Sequence, residues 1–147
     1  MMQAVELAQW ACGGFFMVAL LTGVWKYAHI RRSAEARAPV YVDIAHRAAF
    51  LYSFSCLLLA YFADLSRWPS SWNTIGVAAA VLFFATAQST YLIHGLLRDT
   101  DNQLARPYTL GRWTMPSWLV HGYMLLLIGG EIGGFLVVFT GAMIAPH

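Results

Sequence analysis

Four long apolar runs in a chain of 147 residues leave it few ways to fold. They cover Ala8–Ile30, Ala48–Ala63, Ile75–Leu97 and Trp118–Ala145, separated by short polar connections. Between its ends the first is interrupted by Thr22 and Lys26. The third has a patch at Gln88, Ser89 and Thr90, and the fourth has Glu131 near its middle. About 20 helical residues cross a hydrocarbon core of about 30 Å, so the first, third and fourth runs are long enough alone. The second reaches that length if the amphipathic stretch Val40–Arg47 extends it. None of the runs alternates with a period of two, and a segment in hydrocarbon must satisfy its backbone internally, so helices are favoured over strands. The expectation is an all-α, integral membrane four-helix bundle. It is a single domain over 1–147, with helices near 8–30, 43–64, 75–98 and 117–145.

Composition agrees. Charged residues make up 11% of the chain, against about 25% in an ordinary soluble domain. No arginine-rich arm exists for nucleic acid, so the expected surroundings are a lipid bilayer. Cys12 and Cys56 lie inside apolar runs without CxxC or zinc-like spacing, and read as thiols packed as small hydrophobes. Glu6 stands where a signal peptide would carry positive charge, so the first run is expected to stay.

Basic residues set the orientation. Lys26, Arg31, Arg32, Arg37, Arg47, Arg98, Arg106 and Arg112 fall at one side of the alternating spans, and only Arg67 falls at the other. That asymmetry places the connections 31–43 and 98–116 in the cytoplasm, with the N-terminus and the C-terminus both outside. A multi-pass protein of a cell inner membrane is the expected localisation. Trp68 and Trp72 in the outer hairpin, and Trp10, Trp25, Trp113 and Trp118 elsewhere, suit interfacial anchoring.

The same alternation brings four histidines to the cytoplasmic rim. His29 closes the first run, His46 opens the second, His94 closes the third and His121 opens the fourth. Each half of the chain thus reads helix, histidine, basic loop, histidine, helix. Neutral imidazole ligates haem iron and transition metals well, and facing helices of a bundle are a usual mount. A bis-histidine haem b, or a metal, would draw its ligands first from His46 and His94, then from His29 and His121. Arg47 and Arg98 stand where propionates would emerge. The alternatives are proton transfer by these histidines, or simple hydrogen bonding to loops and headgroups.

His46-Arg47 opening one helix, with His94-Gly95 and Arg98-Asp99 closing the next, resembles the membrane cytochrome b subunits that anchor succinate dehydrogenase. The resemblance covers Asp43 to Asp101. It implies that His94 ligates haem and that Arg47 belongs to a quinone site. Ala48, Ala49 and Phe50 depart from the pattern after the HR pair, and the first helix has no place in a three-helix anchor. Chain length, four helices and the Arg47-Ala48 pair are also similar to the MAPEG family of membrane glutathione transferases. That likeness implies a cytoplasmic face that binds lipophilic or thiol ligands. Leu51 and Phe54 stand where that family carries asparagine and glutamate.

Glu131 lies within Gly129-Gly130-Glu131-Ile132-Gly133-Gly134. A lone carboxylate in hydrocarbon is costly, so it should face the bundle and find a donor. Gln88, Thr86 and Ser53 fall at similar depth by helical rise. Glu131, Gln88 and Ser53 are therefore candidates for a buried proton or cation site, or for a helix clamp closed by a Glu–Gln or Glu–Thr hydrogen bond. The glycines permit close helix approach, within one bundle or in a homo-oligomer. In the connection after the third run, Asp99, Asp101 and Asn102 are expected to cap the helix end and pair with arginines. The leading functional expectation is a small binding or electron-transfer module with a histidine-lined mouth. The alternatives are a MAPEG-like membrane enzyme and a non-catalytic subunit or assembly factor of a larger membrane complex.

Overall fold

Proline marks where three of the four helices begin. In the computed structural model, which describes residues 2–144, α1 spans Met2–Arg32, α2 Val40–Leu65, α3 Ser70–Leu97 and α4 Ser117–Met143. Pro39, Pro69 and Pro116 immediately precede α2, α3 and α4. Proline lacks the N–H that a helix start leaves without a partner, and its φ is already near helical. Between α3 and α4 a two-residue ribbon forms, with β1 (Thr109–Leu110) antiparallel to β2 (Trp113–Thr114). Gly111 turns it with φ of 61°, a left-handed conformation that costs glycine little.

The helices run alternately up and down. α2 and α3 occupy the middle, α1 lies against both, and α4 lies against both from the other side. All four are long and apolar enough to cross a membrane. Only 22%, 33%, 33% and 17% of their most apolar windows, in chain order, is buried inside the bundle. Leucines such as Leu51, Leu58, Leu82, Leu96 and Leu125 point outward instead, the reverse of a water-soluble bundle.

Inside, small side chains bring the helices close. Ala4, Ala8, Ala60, Ala63 and Ala80 pack with Leu59, Val77 and Val138 into one core cluster. The α2–α3 connection is fastened over this end. Ser66 Oγ donates to Asn73 Oδ1 at 2.8 Å, Asn73 Nδ2 donates to the Trp68 carbonyl, and the Arg67 N–H donates to the Gly141 carbonyl of α4.

The helices overrun the apolar stretches that announce them. α1 begins at Met2 instead of Ala8, α2 at Val40 instead of Asp43, and α3 at Ser70 instead of Ile75. Hydropathy marks the segment suited to hydrocarbon, whereas the polar first turns are still helical. Residue 145, the expected end of α4, lies outside the described residues.

Candidate functional site

The two ends of the α3–α4 pair are built differently. All buried residues of α4 lie in its second half: Gly134, Val138, Gly141 and Ala142. There Gly134 packs against the backbone of Gly76, so closely that a Cβ on Gly134 would collide with the Gly76 carbonyl. Toward the other end, Phe83 lies over Gly130, and Tyr123 reaches across to donate to Thr86 Oγ1 at 3.0 Å. These rings prop the helices apart. Between the separated halves and the β1–β2 ribbon opens a cleft of ≈ 870 Å³. Its walls are mainly apolar, from Ile93, Leu104, Leu110, Leu119 and Leu126, with Thr90, His94 and Tyr108 among them. Gly122 also lines it, with nothing within 4 Å of where its Cβ would be.

His94 is the buried polar group of this cleft. Its Nδ1 lies 2.7 Å from Asp99 Oδ1, and both side chains are 7% exposed. The other Asp99 oxygen accepts the N–H of Gly111, at the tip of the ribbon. Burial works against ionisation of Asp99, but the Gly111 N–H and the His94 ring outweigh it and hold the carboxyl below its usual range. An ionised Asp99 can only accept, so Nδ1 of His94 carries the proton. The carboxylate thereby fixes the orientation of the ring, as in other carboxylate–histidine pairs. The ring is further fixed by Tyr41, 5.0 Å away between centroids, whose hydroxyl accepts the Gln103 N–H. His121 meets Tyr108 at the same mouth, Nε2 to hydroxyl 3.0 Å.

The remaining sequence candidates are distributed around this end. His29 lies against the Arg98 guanidinium, with Nη2 at 3.3 Å from Nδ1. Arg98 itself ends α3 in a left-handed conformation, its N–H donating to the His94 carbonyl at 2.8 Å. His46 faces α1: Nδ1 donates to the Ala19 carbonyl at 2.9 Å, and the ring lies over Gly23. Arg47 pairs with Asp43 at 2.9 Å, and Lys26 pairs with the same carboxylate. At 67% exposure Arg47 contributes little stability through that pair.

This placement bears on the expected cofactor. His46 belongs to the α1–α2 interface and His94 to the α3–α4 cleft, so a haem ligated by both does not fit the arrangement. Among the described residues, no three His, Cys, Asp or Glu side chains group to hold a metal ion. Asp99, expected to pair with an arginine, instead pairs with His94, because Arg98 turns toward His29. The clamp expected at Glu131 is also absent from its predicted partners. Gln88 donates to the Ala45 carbonyl at 3.0 Å, Thr86 takes the Tyr123 hydroxyl, and Ser53 donates to the Cys12 carbonyl.

Sequence reasoning did not single out Tyr41, Tyr108, Gly111 and Gly122 as parts of a site. The Thr109-Leu110-Gly111-Arg112-Trp113-Thr114 stretch does carry a hairpin signal, a glycine between β-favouring residues. Set against family models, curated proteins and solved structures, the chain matches none.

Proposed function

We propose that this is a multi-pass protein of a cell inner membrane that binds a lipophilic molecule with a hydrogen-bonding head. The body of the ligand occupies the α3–α4 cleft and its head meets Nε2 of His94. The observation that carries this reading is the cleft itself. It is a large apolar space between two helices long and apolar enough to cross a membrane, closed at its polar end by a buried imidazole that a carboxylate orients. Small-molecule sites are typically apolar with a few convergent polar groups, and volumes of about 300–1,000 Å³ are usual. In its neutral form His94 offers the Nε2 lone pair to the ligand and accepts a hydrogen bond from a hydroxyl or amide. The same lone pair can take a proton from a bound substrate, with Asp99 stabilising the imidazolium that results.

Eight basic residues on the mouth side against one on the other support a cytoplasmic mouth and external termini. Cysteines introduced in place of Ala34 and Trp72 test that orientation. A membrane-impermeant maleimide added to intact cells should label the second and spare the first. The reverse pattern would place the mouth outside.

Native mass spectrometry of the protein, taken from its own membrane in polymer nanodiscs, tests the binding reading. A retained amphiphile is expected in the wild type and should be lost when Gly122→Leu fills the cleft. Equal retention in both would reject the cleft as the site.

A further inference from the structure

Beyond the cleft, a second set of polar side chains gathers inside the bundle. α2 and α4 start at the mouth and α3 ends there, and side chains lean toward the N-terminus of their own helix. Tyr52 and Glu131 therefore lean toward the mouth and Tyr91 leans away from it, so their polar ends converge. Tyr91, Tyr123 and Glu131 all lie near enough to Tyr52 to act on it electrostatically, and Tyr91 and Glu131 act likewise on Tyr123. Gln88 lies three residues from Tyr91, on the same face of α3. Glu131 is not among the residues lining the cleft, whereas Tyr123 is, so this site adjoins the cleft through one side chain but does not rest on the ligand reading.

Two acceptors here lack any partner. Oε1 of Glu131 and Oε1 of Gln88 are both buried without a hydrogen bond, and Gln88 as a whole is 3% exposed. Nearby donors are committed elsewhere. The Gln88 amide donates to Ala45, the Thr86 hydroxyl to the Phe83 carbonyl and the Tyr123 hydroxyl to Thr86. Buried polar oxygens without partners are rare and call for an explanation. What these two lack is a donor or a positive charge.

Charge balance narrows the choice. Lys26, Arg31 and Arg32 lie in the last turns of α1, Arg47 lies near the start of α2, and α3 and α4 contain no lysine or arginine. The other titratable groups on these helices are the thiols of Cys12 and Cys56, the carboxyls of Glu6, Asp43 and Asp64, the phenols of Tyr27, Tyr41 and Tyr61, and four histidines; His29, His46, His94 and His121 are engaged with Arg98, the Ala19 carbonyl, Asp99 and Tyr108. A site with one carboxylate in a low-dielectric interior is neutralised by one positive charge, whereas a divalent ion would leave a net charge buried. Carboxylate, amide and phenol oxygens are all hard ligands, the kind that alkali cations and protons take.

We infer that Glu131, with Oε1 of Gln88 and the hydroxyls of Tyr52, Tyr91 and Tyr123, binds one exchangeable monovalent cation. The cation is a proton or an alkali ion.

Infrared difference spectroscopy on the full-length protein in nanodiscs tests this. Two exchanges are followed in the carboxyl region: choline chloride for sodium chloride at fixed pH, and low for high pH without sodium. A carboxyl signal should follow at least one exchange and vanish in Glu131→Gln, an isosteric change. If only pH produces the signal, the cation is a proton. If sodium produces it and shifts the pH midpoint, an alkali ion competes for the site. Tyr123→Phe should keep the signal and weaken half-saturation about fivefold, the equivalent of one hydrogen bond. Two results would overturn the inference: a wild-type difference spectrum identical to that of Glu131→Gln, or calcium replacing sodium with equal effect.

Discussion

The outer and mouth halves of the α3–α4 pair use opposite means of holding two helices together. In the outer half, Gly76 and Gly134 let backbones touch, and Ser66 and Trp68 press on Gly141. Contact is close and dry, of the kind that associates helices where lipid offers no hydrophobic drive. In the mouth half, Tyr123 and Phe83 keep the helices apart, and the order comes from hydrogen bonds that run through the connecting ribbon. Asp99 ties His94 to Gly111, and Tyr108 ties the ribbon to His121. Close packing fixes the outer half, while the hydrogen-bonded mouth leaves room for a ligand.

Substitutions that interfere with each half should separate them. Gly134→Leu strikes the seam where backbone meets backbone, and a shift of the helix is unavoidable. A loss of about 3 kcal/mol is expected in thermal or denaturant unfolding in detergent, at the upper end for overpacking. An unfolding midpoint unchanged from wild type would show that the seam is not tight. Asp99→Asn acts at the mouth, replacing a buried charge-assisted bond. It should cost about 2 kcal/mol and weaken ligand retention, because the amide no longer fixes the His94 tautomer.

The pH dependence follows from the same pair. Since the folded protein holds the Asp99 carboxyl below its usual range, its contribution is complete above the unfolded value of about 4. It is lost as pH falls through the lower folded value. The difference in melting temperature between wild type and Asp99→Asn should therefore shrink in acid below about pH 4, as the carboxylate takes up its proton. A difference that persists undiminished in strong acid would contradict the assignment. The smallest effect belongs to Gly129→Ala, which faces open space. It should leave stability unchanged or raise it by up to about 1 kcal/mol through helix propensity.

Fold and site were not equally legible. Hydropathy found four helices because apolar length is a local property of the chain. The first turns of α1 and α3, from Met2 and Ser70, escaped it, although Pro69 announces the second. Histidine depth was legible too, since alternating helices dictate which ends share a side. Which neighbour each ring faces was not. That depends on helix rotation, and His46 rotates to α1 over Gly23 while His94 rotates toward the ribbon. The glycine cluster shows the same limit. Gly130 and Gly134 face α3, whereas Gly129 and Gly133 have nothing within 4 Å. Spacing alone made all four equivalent. Asp99 reached His94 only because Arg98 adopts a left-handed turn, a conformation that no residue type at that position demands.

Quenching of tryptophan fluorescence by a brominated fatty acid tests the cleft most directly. Trp118 lines it and is 74% exposed, so it reports on occupancy, and Trp118→Phe identifies its share of the signal. Quenching of Trp118 in nanodiscs should saturate in the wild type and in Gly129→Ala, and saturation should be lost in Gly122→Leu. Quenching that rises without saturation, and identically in all three proteins, would show that Trp118 meets only bulk lipid and that the cleft holds no ligand.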